Sequence, residues 1–138
     1  MDQINDNGKL RNSQVHILLV DDEDYLVKLW TRVIERQGYI VTSFTSGIQA
    51  REAFISRPHY FDMLITDQSM PGITGYELAA EFLKIRNDMK IILCSGYLGD
   101  LDLSDVARKK GIYILLKPFD SYSLLDAIKR NLIVSESI

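Results

Sequence analysis

Five residues able to do chemistry together each stand just after a short apolar run. VHILLV (15–20) leads into Asp21 and Asp22, with Glu23 and Asp24 behind them; FDMLIT (61–66) leads into Asp67. KIILC (90–94) leads into Ser95, and IYILL (112–116) into Lys117, Pro118 and Phe119. Three carboxylates brought together repel, so some must protonate or a cation must sit among them. An all-oxygen ligand set with room for water and a phosphate suits Mg2+. Lysine can hold a phosphoryl oxygen as a point charge and serine can donate to another. A carboxylate nucleophile beside them completes a set for phosphoryl transfer onto an aspartate.

Each residue alone has a plainer reading. Acids after a strand cap the next helix, a role that suits Glu23 and Asp24. Asp67 ahead of Pro71-Gly72 could simply form a turn, as could Ser95. Lys117 alone would be a solvated lysine, and Pro118 a strand end. The weight lies in five such residues at corresponding positions.

Those positions follow from the elements. Short apolar runs at 15–20, 39–44, 61–66, 90–94 and 112–116 read as strands. Amphipathic stretches alternate with them. Leu26, Leu29, Trp30, Val33 and Ile34 line a first helix that stops at Gly38. Ser46 caps a second, which faces inward through Ala50, Ala53 and Phe54 and ends near Arg57. A third, Gly75 to Arg86, buries Leu78, Ala79, Phe82 and Ile85. A weak fourth helix near 103–110 offers Leu103, Val106 and Ala107, and a last one from Ser121 uses Leu124, Leu125, Ile128 and Leu132. Five βα units predict an α/β fold, a doubly wound five-stranded parallel sheet with helices on both faces and right-handed crossovers. Ligands of such sheets sit beyond the carboxyl ends of the strands, where the five residues lie.

Composition bounds the partners. The 138 residues are 46% hydrophobic and 25% charged, as in an ordinary globular domain. Sixteen Lys and Arg against 19 Asp and Glu give a net charge of −3, which argues against a sequence-independent grip on nucleic acid. No apolar run is long enough for membrane insertion, and the start has no secretory h-region, so a cytoplasmic location is expected. Residues 1–12 read as a flexible tail or linker, with the domain spanning 13–138. One cysteine, Cys94, excludes an internal disulfide and reads as core. His16 and His59 lack metal-ligand company, Trp30 reads as core, and Lys109-Lys110 is too short a basic spot for nucleic acid.

The segments ILLVDDED (17–24), FDMLITDQSMPGITGYEL (61–78), IILCSGY (91–97) and LLKPF (115–119) together resemble the receiver domain of two-component response regulators, a CheY-like, flavodoxin-like (βα)5 fold. The resemblance covers 15–134. It implies that Asp67 is the phosphoacceptor and that Asp22 binds Mg2+ directly, with Asp21 acting through water or orienting it. It further implies that the Ser69 carbonyl is a protein ligand and that Ser95 bonds a phosphoryl oxygen. Lys117 would pair first with Asp67 and later with the phosphoryl group, and the Lys117–Pro118 bond would be cis. The implied partners are a histidine kinase or histidine phosphotransfer protein and an output protein bound at the face of the fourth helix, fifth strand and fifth helix. A homodimer formed on phosphorylation is also within the family's range. Such a domain switches rather than turning over an external substrate.

Three positions depart from the usual pattern. Ile114 stands where an aromatic switch residue usually lies, with Tyr113 before it. Gln68 follows the acceptor where an aliphatic is common, and Gly96-Tyr97 follows Ser95. Ser-Gly-Tyr is more similar to receivers attached to hybrid sensor kinases. These departures leave one competing reading, an interaction module that binds its partner without phosphorylation. A flavin or nucleotide site would want phosphate-cradling amides at the first strand end, where Asp21 to Asp24 stand instead.

Overall fold

The computed structural model describes residues 15–96 and 101–134. The expectations for 1–12 and for Tyr97 lie outside them. The elements run β1 (His16–Val20), α1 (Asp24–Glu35), β2 (Ile40–Phe44), α2 (Gly47–Ser56), β3 (Met63–Asp67), α3 (Gly75–Ile85), β4 (Lys90–Ser95), α4 (Leu101–Lys109), β5 (Tyr113–Leu116) and α5 (Ser121–Val134). The sheet order is β2-β1-β3-β4-β5, and every neighbouring pair is parallel.

Burial follows strand position. β1 and β3 are buried throughout and β4 from Ile91 onward, as the apolar runs require of strands covered on both faces. β2 and β5 form the edges and are part-exposed. Alternation divides the core in two. Leu18, Val20, Leu64, Ile91 and Leu93 pack with Phe54 of α2, Phe82 of α3 and Ala107 of α4. Ile17, Leu19, Met63, Ile65 and Ile92 pack with Ile34 of α1 and with Leu124 and Ile128 of α5. Phe54 and Phe82 stack at 3.8 Å between ring centroids, which ties α2 to α3 across the first core.

Helix starts obey local chemistry. Ser46 accepts from the Gln49 N–H at 3.2 Å, as expected of that cap. Thr74 and Glu77 form a reciprocal capping box on α3. Gly38, at φ 94°, turns the chain out of α1 in the left-handed region where side chains are disfavoured.

The inward faces differ in detail from the periodic reading. Leu29, Ile85 and Val106 are exposed, and Val27 instead takes the buried place on α1. Leu29 and Ile85 sit at the margins of stripes whose centres are already filled by Ile34 and Phe82. Trp30 is half-buried and stacks on Phe119 at 5.0 Å. No helix among the described residues is long and apolar enough to cross a membrane.

Candidate functional site

Parallel register brings the strand exits to one edge. Asp67 pairs with Cys94 and Ser95 with Leu116, so the chain leaves β3, β4 and β5 at nearly the same level. The Lys117 N–H donates to the Ser95 carbonyl at 2.8 Å and extends the β4–β5 ladder by one bond. Asp21 is fixed from the other side, its N–H donating to the Phe44 carbonyl. The peptide bond between Lys117 and Pro118 is cis.

The side chains converge. Lys117 Nζ lies 2.6 Å from Asp67 Oδ1 and 3.7 Å from Asp21 Oδ2. Asp21, Asp22 and Asp67 each offer a carboxylate oxygen within 4.8 Å of the others. Asp21, Asp67 and Ser95 are buried, while Asp22 is exposed and faces solvent. Ser69 is exposed in the loop between β3 and α3. Asp21 Oδ1 also accepts from the Glu23 N–H at 2.9 Å. This corrects the capping expectation: Glu23 makes no side-chain cap, and Asp24 instead forms an exposed ion pair with Lys28. The acid at the strand end reaches the helix N-terminus first because its backbone is already held by β2.

Three carboxylates thus face one ammonium. Burial raises the Asp21 carboxyl above its usual range; Asp67 and Asp22 push the same way, against the Glu23 N–H and Lys117. Burial alone would lower Lys117, but the hydrogen bond and charge of Asp67, with the charge of Asp21, outweigh it and hold the ammonium protonated. Cys94 lies beneath this cluster, its thiol pushed up to about 12 by burial, so it is a neutral core residue. The donor set fits a hard cation. An octahedral Mg2+ at about 2.0–2.1 Å from its ligands holds their oxygens about 3–4 Å apart, and the three carboxylates each bring an oxygen within 4.8 Å of the others.

The loop between β3 and α3 is built around Gln68. Its N–H donates to the Cys94 carbonyl at 2.9 Å and its own carbonyl accepts from Gly75 N–H at 3.0 Å. Its side-chain Oε1 accepts from Tyr76 N–H at 2.8 Å. A side chain at Gly75 would overlap the Asp67 carbonyl and come within 2.7 Å of Leu93, so α3 begins in direct contact with the backbone of Asp67. In the sequence Gln68 stands out only as a departure, and Gly75 as a helix start within the resembling segment 61–78. The spacing of Asp67 and Gly75 around Pro71-Gly72 was the available signal.

The other singled-out residues fall outside the cluster. His16 is buried between Tyr60 and Phe61 and meets Thr42 Oγ1 at 2.7 Å through Nε2. Ile114 packs against the core under α4, whereas Tyr113 is exposed.

A parallel sheet with an acidic pocket and a lysine at its carboxyl edge defines a CheY-like domain of the flavodoxin-like class. The family model of the response regulator receiver domain matches residues 17–129, and the chain belongs to that family. It is a phosphoacceptor module of two-component signalling. The chain is 32% identical over 119 residues to the response regulator receiver protein CpdR of Brucella abortus, covering 86% of this chain and 98% of that one. It is 31% identical over 116 residues to the sensor kinase CckA of the same organism, covering 84% of this chain but 12% of that one. A receiver domain structure from Clostridium thermocellum superposes with a TM-score of 0.81 at 29% identity, covering 88% of this chain and 97% of the other.

Proposed function

We propose that Asp67 accepts the phosphoryl group, with Lys117, Ser95 and the acidic pair as its working partners in a receiver unit spanning 13–138. The observation that carries this is the 2.6 Å contact of Lys117 Nζ with Asp67 Oδ1 inside a cluster of carboxylates. Asp21, Asp22 and Asp67, with the Ser69 carbonyl, would hold Mg2+. Bound there, the ion supplies positive charge to the phosphoryl oxygens.

The protein's own groups do the rest. A carboxylate oxygen of Asp67 attacks phosphorus in line with the leaving nitrogen of a phosphohistidine. The P–N bond breaks, its electron pair stays on the imidazole, and an aspartyl phosphate forms. Lys117 shifts its ammonium from the carboxylate to a phosphoryl oxygen, already protonated for that role. The Ser95 hydroxyl donates to a second oxygen. Water attacking the same phosphorus later releases phosphate and restores the carboxylate, so the covalent chemistry is confined to Asp67 itself.

The donor is a histidine kinase or histidine phosphotransfer protein in the cytoplasm. The added charge, about −1 to −2, draws Ser95 and Lys117 together and biases the α4–β5–α5 face, where Val106, Tyr113 and Tyr122 are exposed. An output protein or a second copy of the chain reads that face. Intact-mass spectrometry after incubation with acetyl phosphate and Mg2+ tests the reading. One phosphoryl group should appear on the parent and none on Asp67→Asn. A gain on the variant would overturn the assignment.

A further inference from the structure

We infer that Gln68 is a positioning residue for the metal site, setting the place of the Ser69 carbonyl and the Asp67 backbone through its side-chain bond to the start of α3. The inference rests on the proposed roles of Asp67 and Ser69 as ligands.

The first N–H groups of a helix have no partner within it. In α3 they are all accounted for among described residues, and Gln68 takes two of them. Gly75 N–H goes to its carbonyl and Tyr76 N–H to its side chain, while Glu77 N–H goes to Thr74 Oγ1. Leu78 N–H makes the first bond of the helix proper, to the Thr74 carbonyl. An aliphatic residue at position 68 would leave Tyr76 N–H without this acceptor.

The same bonds close the loop into a ring. Its two ends meet at Gln68, and Gly75 sits against the Asp67 carbonyl with no room for a Cβ. Inside the ring Met70 and Ile73 are buried; a Cβ at Gly47 on α2 would lie 2.5 Å from Ile73 Cγ2, so that corner is seated as well. Ser69 is left exposed between the fixed Gln68 and the buried Met70. Its carbonyl lies in the peptide that joins it to Met70, so it is held between the anchored Gln68 backbone and a buried side chain. Partners that orient metal ligands typically change affinity by about 10- to 100-fold when lost.

The test uses the full 138-residue chain with Mg2+ alone as probe. The Mg2+ dissociation constant is measured by calorimetry and exchange of the Tyr76 amide by NMR, for the parent, Gln68→Met, Gln68→Glu and Ile34→Val. Gln68→Met keeps the length but removes the oxygen. It should weaken Mg2+ about tenfold and speed Tyr76 exchange. Gln68→Glu keeps an acceptor and should restore both. Ile34→Val, in the opposite core, controls for lost stability and should leave Mg2+ affinity unchanged. Unchanged Mg2+ affinity in Gln68→Met, with or without faster exchange, overturns the inference alone. An equal loss in Ile34→Val overturns it too. A parent that fails to bind Mg2+ overturns the metal-site reading and the inference with it.

Discussion

Both ends of this sheet hold buried polar groups, yet they are furnished in opposite ways. At the end where β1 and β3 begin, almost everything is answered locally. Asp62 accepts from the His16 N–H, and His16 Nε2 meets the Thr42 hydroxyl. Arg86 donates to the Pro58 and Phe61 carbonyls and pairs with Asp88, which its hydrogen bond holds below the usual carboxylate range. Arg57 lies over the Tyr60 ring at 3.7 Å. At the end where the strands finish, three carboxylates cluster and Lys117 pairs with two of them, Asp67 and Asp21. A balanced cluster holds a fold together. An unbalanced one stores an appetite for a cation and for a group that will rearrange the charges.

The strongest contrast comes from removing the principal cation at each end. Lys117→Ala should slow phosphorylation by acetyl phosphate about 100-fold or more, read as the initial rate of mass gain. A change under about threefold would mean that the ammonium only balances charge. Arg86→Ala should leave that rate unchanged but lower stability by about 2–3 kcal/mol in urea unfolding, since charged hydrogen bonds to two carbonyls are lost. A slower rate there would join the two ends functionally.

A smaller effect separates them by pH. Burial lowers the His16 pKa below 6.5, with Asp62 opposing and Arg57 adding. The unfolded chain therefore takes up the proton first as pH falls. The stability His16 contributes is complete above 6.5 and is lost as pH drops through the folded value. Between about pH 7 and 5 the urea midpoint of the parent should fall more than that of His16→Gln. Equal slopes would remove His16 from the account.

Strand reading succeeded where burial is two-sided, because HILLV and MLITD allow no other face. It erred on helix margins, where Leu29 and Ile85 fit a 3.6-residue stripe but are exposed. The gathering of Asp21, Asp22, Asp67 and Lys117, with Ser95 at the neighbouring strand exit, was legible because parallel strands finish at one edge, so topology alone collects the residues at their exits. The Gln68 bond was not, since it joins residues eight apart across an irregular loop that has no periodicity to read. Nor could sequence choose among Asp21, Glu23 and Asp24 as the acid that meets the helix start; the β2 contact decides that.

The sheet order also sets a timetable. On the ribosome Asp21 and Asp22 emerge first, Asp67 comes later, and Lys117 arrives last, directly after the edge strand beside β4. A nascent chain with β1, β3 and β4 already paired holds the whole acidic cluster before its counter-charge has been made. Docking of β5 then brings the Lys117 ammonium to Asp67 and Asp21 and offsets part of that charge. The final strand is thus a neutralising event in the protein's birth, not only the fifth rung of its sheet.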